Sequence, residues 1–255
     1  CTDQESGELL GTWFIEKSGL KEGDKVAIIE GPMGQSGQVG RMAGFEEVGL
    51  LDYFDVVATQ TANWKRDEAM ALAEDWITTY GDELKAIICE NDDMGMGALA
   101  AAQAAGRDDI IIGGVDGLED AVQAVADGTY GCSILQDSEG QGSVGVDVAL
   151  QIINGEDYEK DTRIPFHTID ADNVEAYLEG GLEAISGDDA AAEDDAAAEE
   201  DAAAEEDAAA TEEAAADDSA AEDDAAEEEE AAEEDEAAEE AAAAEEDAAE
   251  ETAEE

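Results

Sequence analysis

Basic residues are scarce in this chain of 255 residues, which contains ten Lys and Arg together against 73 Asp and Glu. The formal net charge of −63 disfavours nucleic acids and anionic membrane surfaces as partners, because their phosphates repel an acidic protein. Histidine occurs once, as His167 in a late segment, where a surface or strand-edge position is favoured over a functional one. Without a Ser-His or Cys-His pair for nucleophilic catalysis, we expect that the chain is not an enzyme.

Cysteine is also rare, and the three residues Cys1, Cys89 and Cys132 lack the spacing of a metal site. Cys89 and Cys132 lie in apolar runs, which predicts two buried, unpaired thiols. The stretch "GPMGQSGQVG" lacks the Lys-Ser/Thr pair of a phosphate-binding loop, and "ENDDMGMG" lacks the ligand spacing of a calcium loop. We therefore expect no metal and no cofactor.

Long apolar runs are missing as well. No stretch approaches the roughly 20 apolar residues of a membrane-spanning helix, and we find no signal peptide. The chain begins with Cys1 instead of Met, which indicates processing or a fragment. A first cysteine would suit a lipid-anchored protein after signal cleavage, but we favour an N-terminally truncated copy because the family pattern described below begins partway into its fold.

The composition changes near Gly187. From there to Glu255 the chain holds 35 of its 73 acidic residues, no basic or aromatic residue, and otherwise almost only alanine. Alanine buries too little apolar area to offset the entropy of ordering the chain, and like charges at helical spacings repel. We expect an extended, solvated tail, for which an inert spacer is favoured over a weak cation-binding segment.

Apolar runs alternate with amphipathic stretches through the first 170 residues. Strands are predicted in "KVAIIEG", "FDVVATQ", "LKAIICEND", "DIIIGGVDG" and "YGCSILQD", with a further extended segment in "TRIPFHTID". Helices are predicted over about 5–18, 65–80 and 94–105, and in two segments closed by Gly128 and Gly155. Strands that are apolar throughout and separated by helices indicate the α/β class, with a doubly wound parallel sheet covered on both faces.

Polar or aromatic side chains follow the ends of these predicted strands. Ligands of open parallel sheets bind beyond the carboxyl ends of the strands, which makes these positions a candidate site. Arginine, aspartate and asparagine side chains can form paired hydrogen bonds with two adjacent hydroxyl groups, and an indole can cover the apolar face of a sugar ring. The set predicts a neutral, polyhydroxylated ligand, and its members are Arg41, Trp64, Asn91, Asp116 and Gln136.

Each candidate also has a simpler explanation. Arg41 would be a surface residue of its helix, and Asn91 and Asp116 would be helix N-caps, which their residue types favour. Trp64 would belong to the core, although its polar surroundings in "TANWKRDE" favour a site.

Five stretches in this order resemble periplasmic sugar-binding proteins of the ribose- and galactose-binding type: "TDQESG", "EGPMGQSGQVGRMAGF", "TANW", "ENDDMGMGAL" and "GGVDGLEDAVQAVADGTYGCSILQD". The resemblance extends from about Thr2 to Asp170. It implies that Arg41, Asn91 and Asp116 hold sugar hydroxyls and that Trp64 stacks on the ring. It further implies an amide ligand at the hinge, Gln136, and another pocket residue, Gln35.

Members of this family have two similar lobes joined by three crossovers, and this chain begins near the first crossover. The resemblance therefore implies a type I periplasmic-binding-protein-like fold, with the second lobe essentially complete and the first lobe mostly missing. It assigns residues 1–135 to the second lobe and residues 136–178 to the hinge return and elements of the first lobe, including the helix 139–154. Residues 179–255 form the acidic tail.

The function implied by the resemblance is that of the substrate-binding component of an ABC-type sugar importer. Such a receptor is a monomer in the periplasm, or a lipoprotein at the cell surface, which closes over a monosaccharide and presents it to the membrane permease. The alternative is the sugar-sensing effector domain of a LacI-type transcriptional regulator or a membrane sensor, which use the same fold. The acidity of the chain argues against the DNA-binding alternative.

Overall fold

The computed structural model describes residues 2–186, which contain a six-stranded sheet in the order β2-β1-β3-β4-β5-β6. The strands are β1 (Lys25–Glu30), β2 (Asp55–Thr61), β3 (Leu84–Cys89), β4 (Ile111–Asp116), β5 (Cys132–Gln136) and β6 (Phe166–Asp170). The helices are α1 (Asp3–Glu16), α2 (Ser36–Glu47), α3 (Leu50–Tyr53), α4 (Arg66–Tyr80), α5 (Asp92–Ala104), α6 (Glu119–Ala126), α7 (Ser138–Asn154) and α8 (Val174–Gly180). Two 3-10 turns cover Gly81–Glu83 and Leu182–Ala184.

The predicted α/β class and the parallel sheet are confirmed. β1 to β5 pair in parallel, and only β6 runs antiparallel, beside β5. The predicted starts of α1 and α5 were two residues late, because a capping side chain precedes each helix. Thr2 and Glu5 form a reciprocal capping box at α1, and Asn91 accepts a hydrogen bond from the first turn of α5.

Two apolar cores lie on opposite faces of the sheet, as a doubly wound fold requires. On one face α1, α2 and α3 cover alternate strand residues such as Ile28, Ile88 and Ile134. On the other face α4, α5, α6 and α8 cover the intervening residues, including Ile29 and Ile87. The strands are therefore apolar along their length, since neither face meets water.

Glycines allow α1 and α2 to pack at backbone distance. A Cβ atom at Gly7 would lie 2.2 Å from the carbonyl oxygen of Arg41, and one at Gly44 would lie 2.4 Å from that of Gln4. Neither obstacle is a flexible side chain, so a larger residue would push the helices apart. This close packing also fixes the backbone of Arg41 against α1.

Gly7→Ala is expected to lower the free energy of unfolding by about 1–3 kcal/mol, the range of overpacked cores. The matched control is Gly142→Ala in α7, where a Cβ atom meets nothing within 4 Å. The control should be neutral, or stabilising by up to about 1 kcal/mol, because alanine is the better helix former. Urea unfolding followed by circular dichroism compares the two, and equal losses would contradict the packing argument.

Residues 166–186 pack on the same lobe as the strands before them. β6 extends the sheet beside β5, and Val174 and Ile185 are buried in the core shared with α6. The indole Nε1 of Trp13 donates to Oδ2 of Asp170 at 3.0 Å, which ties α1 to the end of β6. The sequence-based division assigned these residues to a hinge return and a tail, and in the structure residues 166–186 pack against the sheet and its core.

Helix α7 contains no buried residue, in contrast to α1, α4 and α5. Its apolar side chains Val146, Leu150 and Ile153 are all more than half exposed. The helix contributes to neither apolar core.

Both Cys89 and Cys132 are free and buried, as predicted. Burial raises the pKa of both thiols well above the ordinary value, which makes them poor nucleophiles. Among residues 2–186, no helix has both the length and the apolar character needed to cross a bilayer. Cys1 and the predicted tail from Gly187 onward lie outside the described residues.

Candidate functional site

The carboxyl ends of four parallel strands meet at one edge of the sheet, because β1, β3, β4 and β5 are successive neighbours. All six predicted residues lie at this edge. They are Gln35 just before α2, Arg41 within α2, Trp64 before α4, Asn91 before α5, and Asp116 and Gln136 as the last residues of β4 and β5. Three loops, one helix and two strand ends thus supply the site.

Arg41 is buried, with 5% of its surface exposed, so the interpretation as a surface residue is wrong. Its Nη1 donates to the backbone oxygen of Glu90, and its Nε donates to Oγ of Ser6 at 3.3 Å. The Nη2 atom lies 3.8 Å from Oδ1 of Asp116. Contacts with α1, β4 and the end of β3 therefore hold the guanidinium in place before any ligand binds.

Trp64 adopts a left-handed backbone conformation, with φ of +62°. This conformation costs a bulky residue about 1–3 kcal/mol and occurs where the surrounding contacts enforce it. Its indole lies directly over Gly31, where a Cβ atom would come within 2.0 Å of the ring. The Nε1 atom donates to Oε1 of Gln35 at 2.8 Å, and the guanidinium carbon of Arg41 lies 5.4 Å from the ring centroid.

The ring of Trp64 is also partly buried against the core on the α4 side of the sheet. The interpretation as a core residue is therefore true of part of the side chain. The contacts with Gln35 and Arg41 nevertheless join Trp64 to the other predicted residues.

Asn91 is the N-cap of α5, as the simpler explanation predicted. Its Oδ1 accepts a hydrogen bond from the backbone N–H of Met94 at 2.9 Å. The Nδ2 amide of Asn91 takes no part in this cap. Capping and ligand binding use different atoms of Asn91 and are compatible.

Asp116 is not a helix cap, because the N-cap of α6 is Leu118. It has φ of +135° and is followed by Gly117 at +75°, so the chain turns sharply where β4 ends. Burial raises the pKa of its carboxyl to about 6, and the nearby charge of Arg41 opposes the rise. At neutral pH the carboxylate is mostly ionised and serves as a hydrogen-bond acceptor beside the guanidinium.

Gln136 lies one residue beyond Leu135, which pairs with Asp116 in the sheet. Its side chain is half-buried at the start of the turn into α7. Gln35, Arg41, Trp64 and Asp116 are thus linked by contacts, whereas Asn91 and Gln136 share the edge of the sheet with them.

Asp92 is a buried residue that the sequence-based prediction missed. Its Oδ2 accepts hydrogen bonds from the backbone N–H groups of Gly117 and Leu118, at 2.9 and 3.0 Å, and from Oγ of Ser133 at 2.5 Å. Its Oδ1 accepts a weaker one from the Tyr130 hydroxyl at 3.3 Å. Burial raises its pKa to about 6, and these donors oppose the rise. Asp92 therefore holds the loop that positions Asp116.

Glu30 and Glu90 were missed as well, although both are buried at the strand ends. A signal was present, because each acid directly ends an apolar strand run, in "VAIIE" and "AIICE".

A cleft of about 470 Å³ opens beside Trp64, between the first turns of α4 and α5. Its lining includes Lys65, Met70 and the ion pair of Arg66 with Asp93. The cleft contacts the predicted set only through Trp64. The other predicted residues do not line this cleft.

The arrangement offers a fixed guanidinium, an amide donor, a carboxylate acceptor and an aromatic face. Groups of these types are suited to hydroxyls and a ring, and no nucleophile lies beside a base among them. Among residues 2–186, no group of three or more His, Cys, Asp and Glu side chains converges as metal ligands would.

Comparison with known proteins shows the family. The model of the periplasmic binding protein domain matches residues 2–157. The xylitol-binding protein of Mycolicibacterium smegmatis is 40% identical over 156 residues, which cover 60% of this chain and 44% of that protein. The ribose import binding protein of Salmonella typhimurium is 34% identical over 150 residues, which cover 59% of this chain and 50% of that protein. The chain spans about half the length, or less, of these curated relatives.

Solved structures share the fold. A solute-binding protein of an ABC transporter from Bacillus halodurans with bound myo-inositol is 33% identical, with a TM-score of 0.59, over 69% of this chain and 59% of that one. A periplasmic solute-binding protein from Actinobacillus succinogenes with bound D-allose is 25% identical, with a TM-score of 0.64, over 69% and 62%. By its sequence match and its sheet, the chain belongs to the periplasmic binding protein domain family.

Proposed function

We propose that this chain forms one lobe of an extracytoplasmic receptor that binds a monosaccharide for an ABC-type importer. The observation that carries the proposal is the joining of Arg41, Asp116 and Trp64 at the carboxyl ends of parallel strands. A fixed guanidinium and a carboxylate bind adjacent hydroxyls, while the indole covers the ring. Asn91 and Gln136 add amide groups at the same edge, and Gln35 orients the indole.

The relatives support a neutral, polyhydroxylated ligand. Their names and structures refer to xylitol, ribose, D-allose and myo-inositol, which are all neutral molecules with adjacent hydroxyls. A binding role without catalysis agrees with the absence of a nucleophile-base pair among the proposed site residues. The permease partner, the monomeric state and the location outside the cytoplasm come from the family and are part of the proposal.

We further propose that α7 lies against a first lobe that completes the receptor. The support is its exposed apolar surface, formed by Val146, Leu150 and Ile153, which exceeds what a solvated helix normally shows. In this division, residues 2–135 together with β6 and α8 form the second lobe. The segment from α7 to residue 165 forms the connection, and the acidic tail follows the folded part.

Trp64→Ala is expected to weaken the binding of a cyclic ligand by about 1–3 kcal/mol, because stacking on its ring and burial of the aromatic side chain are lost; xylitol, which has no ring, should lose only the burial. The measurement is calorimetric titration of xylitol, ribose, D-allose and myo-inositol into a two-lobed protein that joins this chain to the first lobe of the xylitol-binding relative. Trp64→Phe is the matched control, since it keeps a ring face and should retain most of the affinity.

Two outcomes would count against the proposal. Unchanged affinity in Trp64→Ala would place Trp64 outside the site. Failure of the unmodified two-lobed protein to bind any of the four ligands, while circular dichroism shows that it is folded, would contradict the assignment as a sugar receptor.

A further inference from the structure

Two glutamates lie side by side behind the candidate site. β1 and β3 pair in parallel with Ile29 opposite Cys89, so Glu30, the last residue of β1, lies beside Glu90, the first residue after β3. Their exposed fractions are 7% and 0%. Neither side-chain carboxyl group has a role in the site described above, yet each is removed from water, which is costly without compensation.

The hydrogen bonds of this pair are incomplete. Oε1 of Glu30 accepts from Nε2 of Gln38 at 2.8 Å, and Oε2 of Glu90 accepts from the backbone N–H of Gly31 at 2.6 Å. Among the residues that the structure describes, Oε1 of Glu90 is a buried oxygen without any hydrogen-bond partner. An ionised carboxylate would rarely be left in this state, whereas a protonated one tolerates it better.

Glu90 is also connected to the guanidinium of Arg41 and, through Gly31, to the indole of Trp64. Its backbone oxygen accepts from Nη1 of Arg41, and its carboxyl holds Gly31, over which the indole of Trp64 lies. The guanidinium of Arg41 faces Asp116 on its other side, at the loose distance of 3.8 Å. Arg41 therefore lies within reach of the charge of two carboxyl groups, one in the site and one behind it.

In the described part of the chain, the titratable groups that interact with Glu90 are Glu30 on β1, Arg41 on α2 and the buried thiol of Cys89 at the end of β3. Burial raises the pKa of Glu90 to about 8, and the charge of Glu30 adds to the rise. The Gly31 N–H and the charge of Arg41 oppose it. The neutral form thus predominates at neutral pH, and the carboxyl ionises under mildly alkaline conditions.

We infer that Glu90 is a proton-dependent positioning residue, which leaves Arg41 directed toward Asp116 and Trp64 when it is neutral and draws the guanidinium back behind the site when it is ionised. The contact with Asp116, at 3.8 Å, is the longest of those that hold Arg41, so it is the contact that breaks when the guanidinium moves. The attraction of a new buried charge acts on Arg41 with little screening by water.

The test is an NMR titration of the full 255-residue chain without ligand. The chain has three tryptophans, and loss of one indole Nε1–H signal in Trp64→Phe assigns that of Trp64. This signal reports on Arg41, which lies over the ring. We expect it to shift with a midpoint near pH 8, and we expect Glu90→Gln, which cannot ionise, to abolish the shift.

Two comparisons make the assignment specific. Glu30→Gln should keep the transition and lower its midpoint, because the repelling neighbour is gone. The Trp13 indole, which donates to Asp170, is an internal control and should not move near pH 8. A separate step near pH 6, where Asp116 titrates, should persist in Glu90→Gln.

The inference is overturned if the Trp64 signal does not titrate near pH 8, or if it titrates unchanged in Glu90→Gln. Should Glu90→Gln fail to fold, the carbon-13 signal of the Glu90 carboxyl in the unmodified chain gives its ionisation directly, and a midpoint near pH 5 would refute the idea. For ligand affinity, the inference rests on the proposed function: binding should weaken above about pH 8 in the two-lobed protein and remain constant in Glu90→Gln. The ligand-free titration succeeds or fails independently of sugar binding.

Discussion

Asp92→Ala is expected to destabilise the chain by about 3–5 kcal/mol, because several buried donors lose their acceptor at once. Asp92 is fully buried and accepts hydrogen bonds from two backbone N–H groups and from the hydroxyls of Ser133 and Tyr130. Its removal leaves Gly117 N–H and Leu118 N–H without this partner at the end of β4. A cavity next to the ring of Tyr130 adds to the loss.

The neighbouring acid provides the control. Asp93 differs from Asp92 by one position in "ENDD", yet it is partly exposed and pairs with Arg66 at 2.9 Å near the surface. Exposed ion pairs contribute about 0.2–1 kcal/mol, so Asp93→Ala should cost far less than Asp92→Ala. Urea unfolding of both variants measures the difference, and similar losses would show that the Asp92 hydrogen bonds do not stabilise the loop.

The same variant tests how the site is supported. The loop that Asp92 holds begins directly after Asp116, whose backbone is already in an unusual conformation. Release of Gly117 and Leu118 should therefore disorder Asp116 and broaden its NMR signals even under conditions where Asp92→Ala remains folded. Asp93→Ala should leave those signals sharp.

The fold could be predicted because the pattern of apolar runs is local information. Strands such as "VAII" and "AIIC" are apolar on both faces, which only a sheet covered on both sides explains. The predicted starts of α1 and α5 were late, because Thr2 and Asn91 cap these helices and neither residue belongs to the apolar pattern from which the helices were predicted. The addition of β6 to the sheet was not predictable, because antiparallel pairing with β5 is a long-range contact.

The site could be predicted in part, because parallel strands bring their carboxyl ends together regardless of the details of packing. That rule placed Asn91, Asp116 and Gln136 at one edge, and the structure shows Arg41 and Trp64 in mutual contact there. Whether these residues bind a sugar stays a prediction.

The supporting carboxyl groups could not be inferred in the same way. Asp92 and Asp93 are identical in type and adjacent in sequence, and only the three-dimensional packing buries one and exposes the other. Glu30 and Glu90 become a pair only when β1 and β3 adopt their register. Residue type thus indicates where a ligand would be held, whereas the groups behind the site depend on tertiary contacts.

The stability of the chain is expected to fall as the pH rises from about 5 to about 8. Glu90 has an ordinary pKa of 4.5 that the fold raises to about 8, so it is protonated in both states at low pH. Between these values the unfolded chain releases the proton and the folded chain keeps it, which favours unfolding. Glu90 alone should lower the free energy of unfolding by on the order of 4 kcal/mol over this range.

Other carboxyl groups also change the free energy of unfolding at acidic pH. The fold also raises the pKa of Asp92 and Asp116. These two groups therefore also lower the free energy of unfolding as the pH rises to about 6. Glu83 and Asp109, whose pKa is lowered by Lys25 and Arg107, act in the opposite direction and lose their stabilising effect at still lower pH. The melting temperature should therefore be highest in mildly acidic buffer.

Glu90→Gln isolates the contribution of one group. The amide cannot ionise, and its oxygen still accepts from the N–H of Gly31, so the stability of the variant relative to the original chain should rise steadily from pH 5 to pH 8. Any unpaired amide hydrogen adds a constant cost that does not change this slope. The matched control Glu83→Gln, at an exposed ion pair, should follow the original profile over the same range. Parallel profiles for Glu90→Gln and the original chain would mean that Arg41 keeps Glu90 ionised in the fold, and the proton-dependent positioning of Arg41 would then have no physical basis.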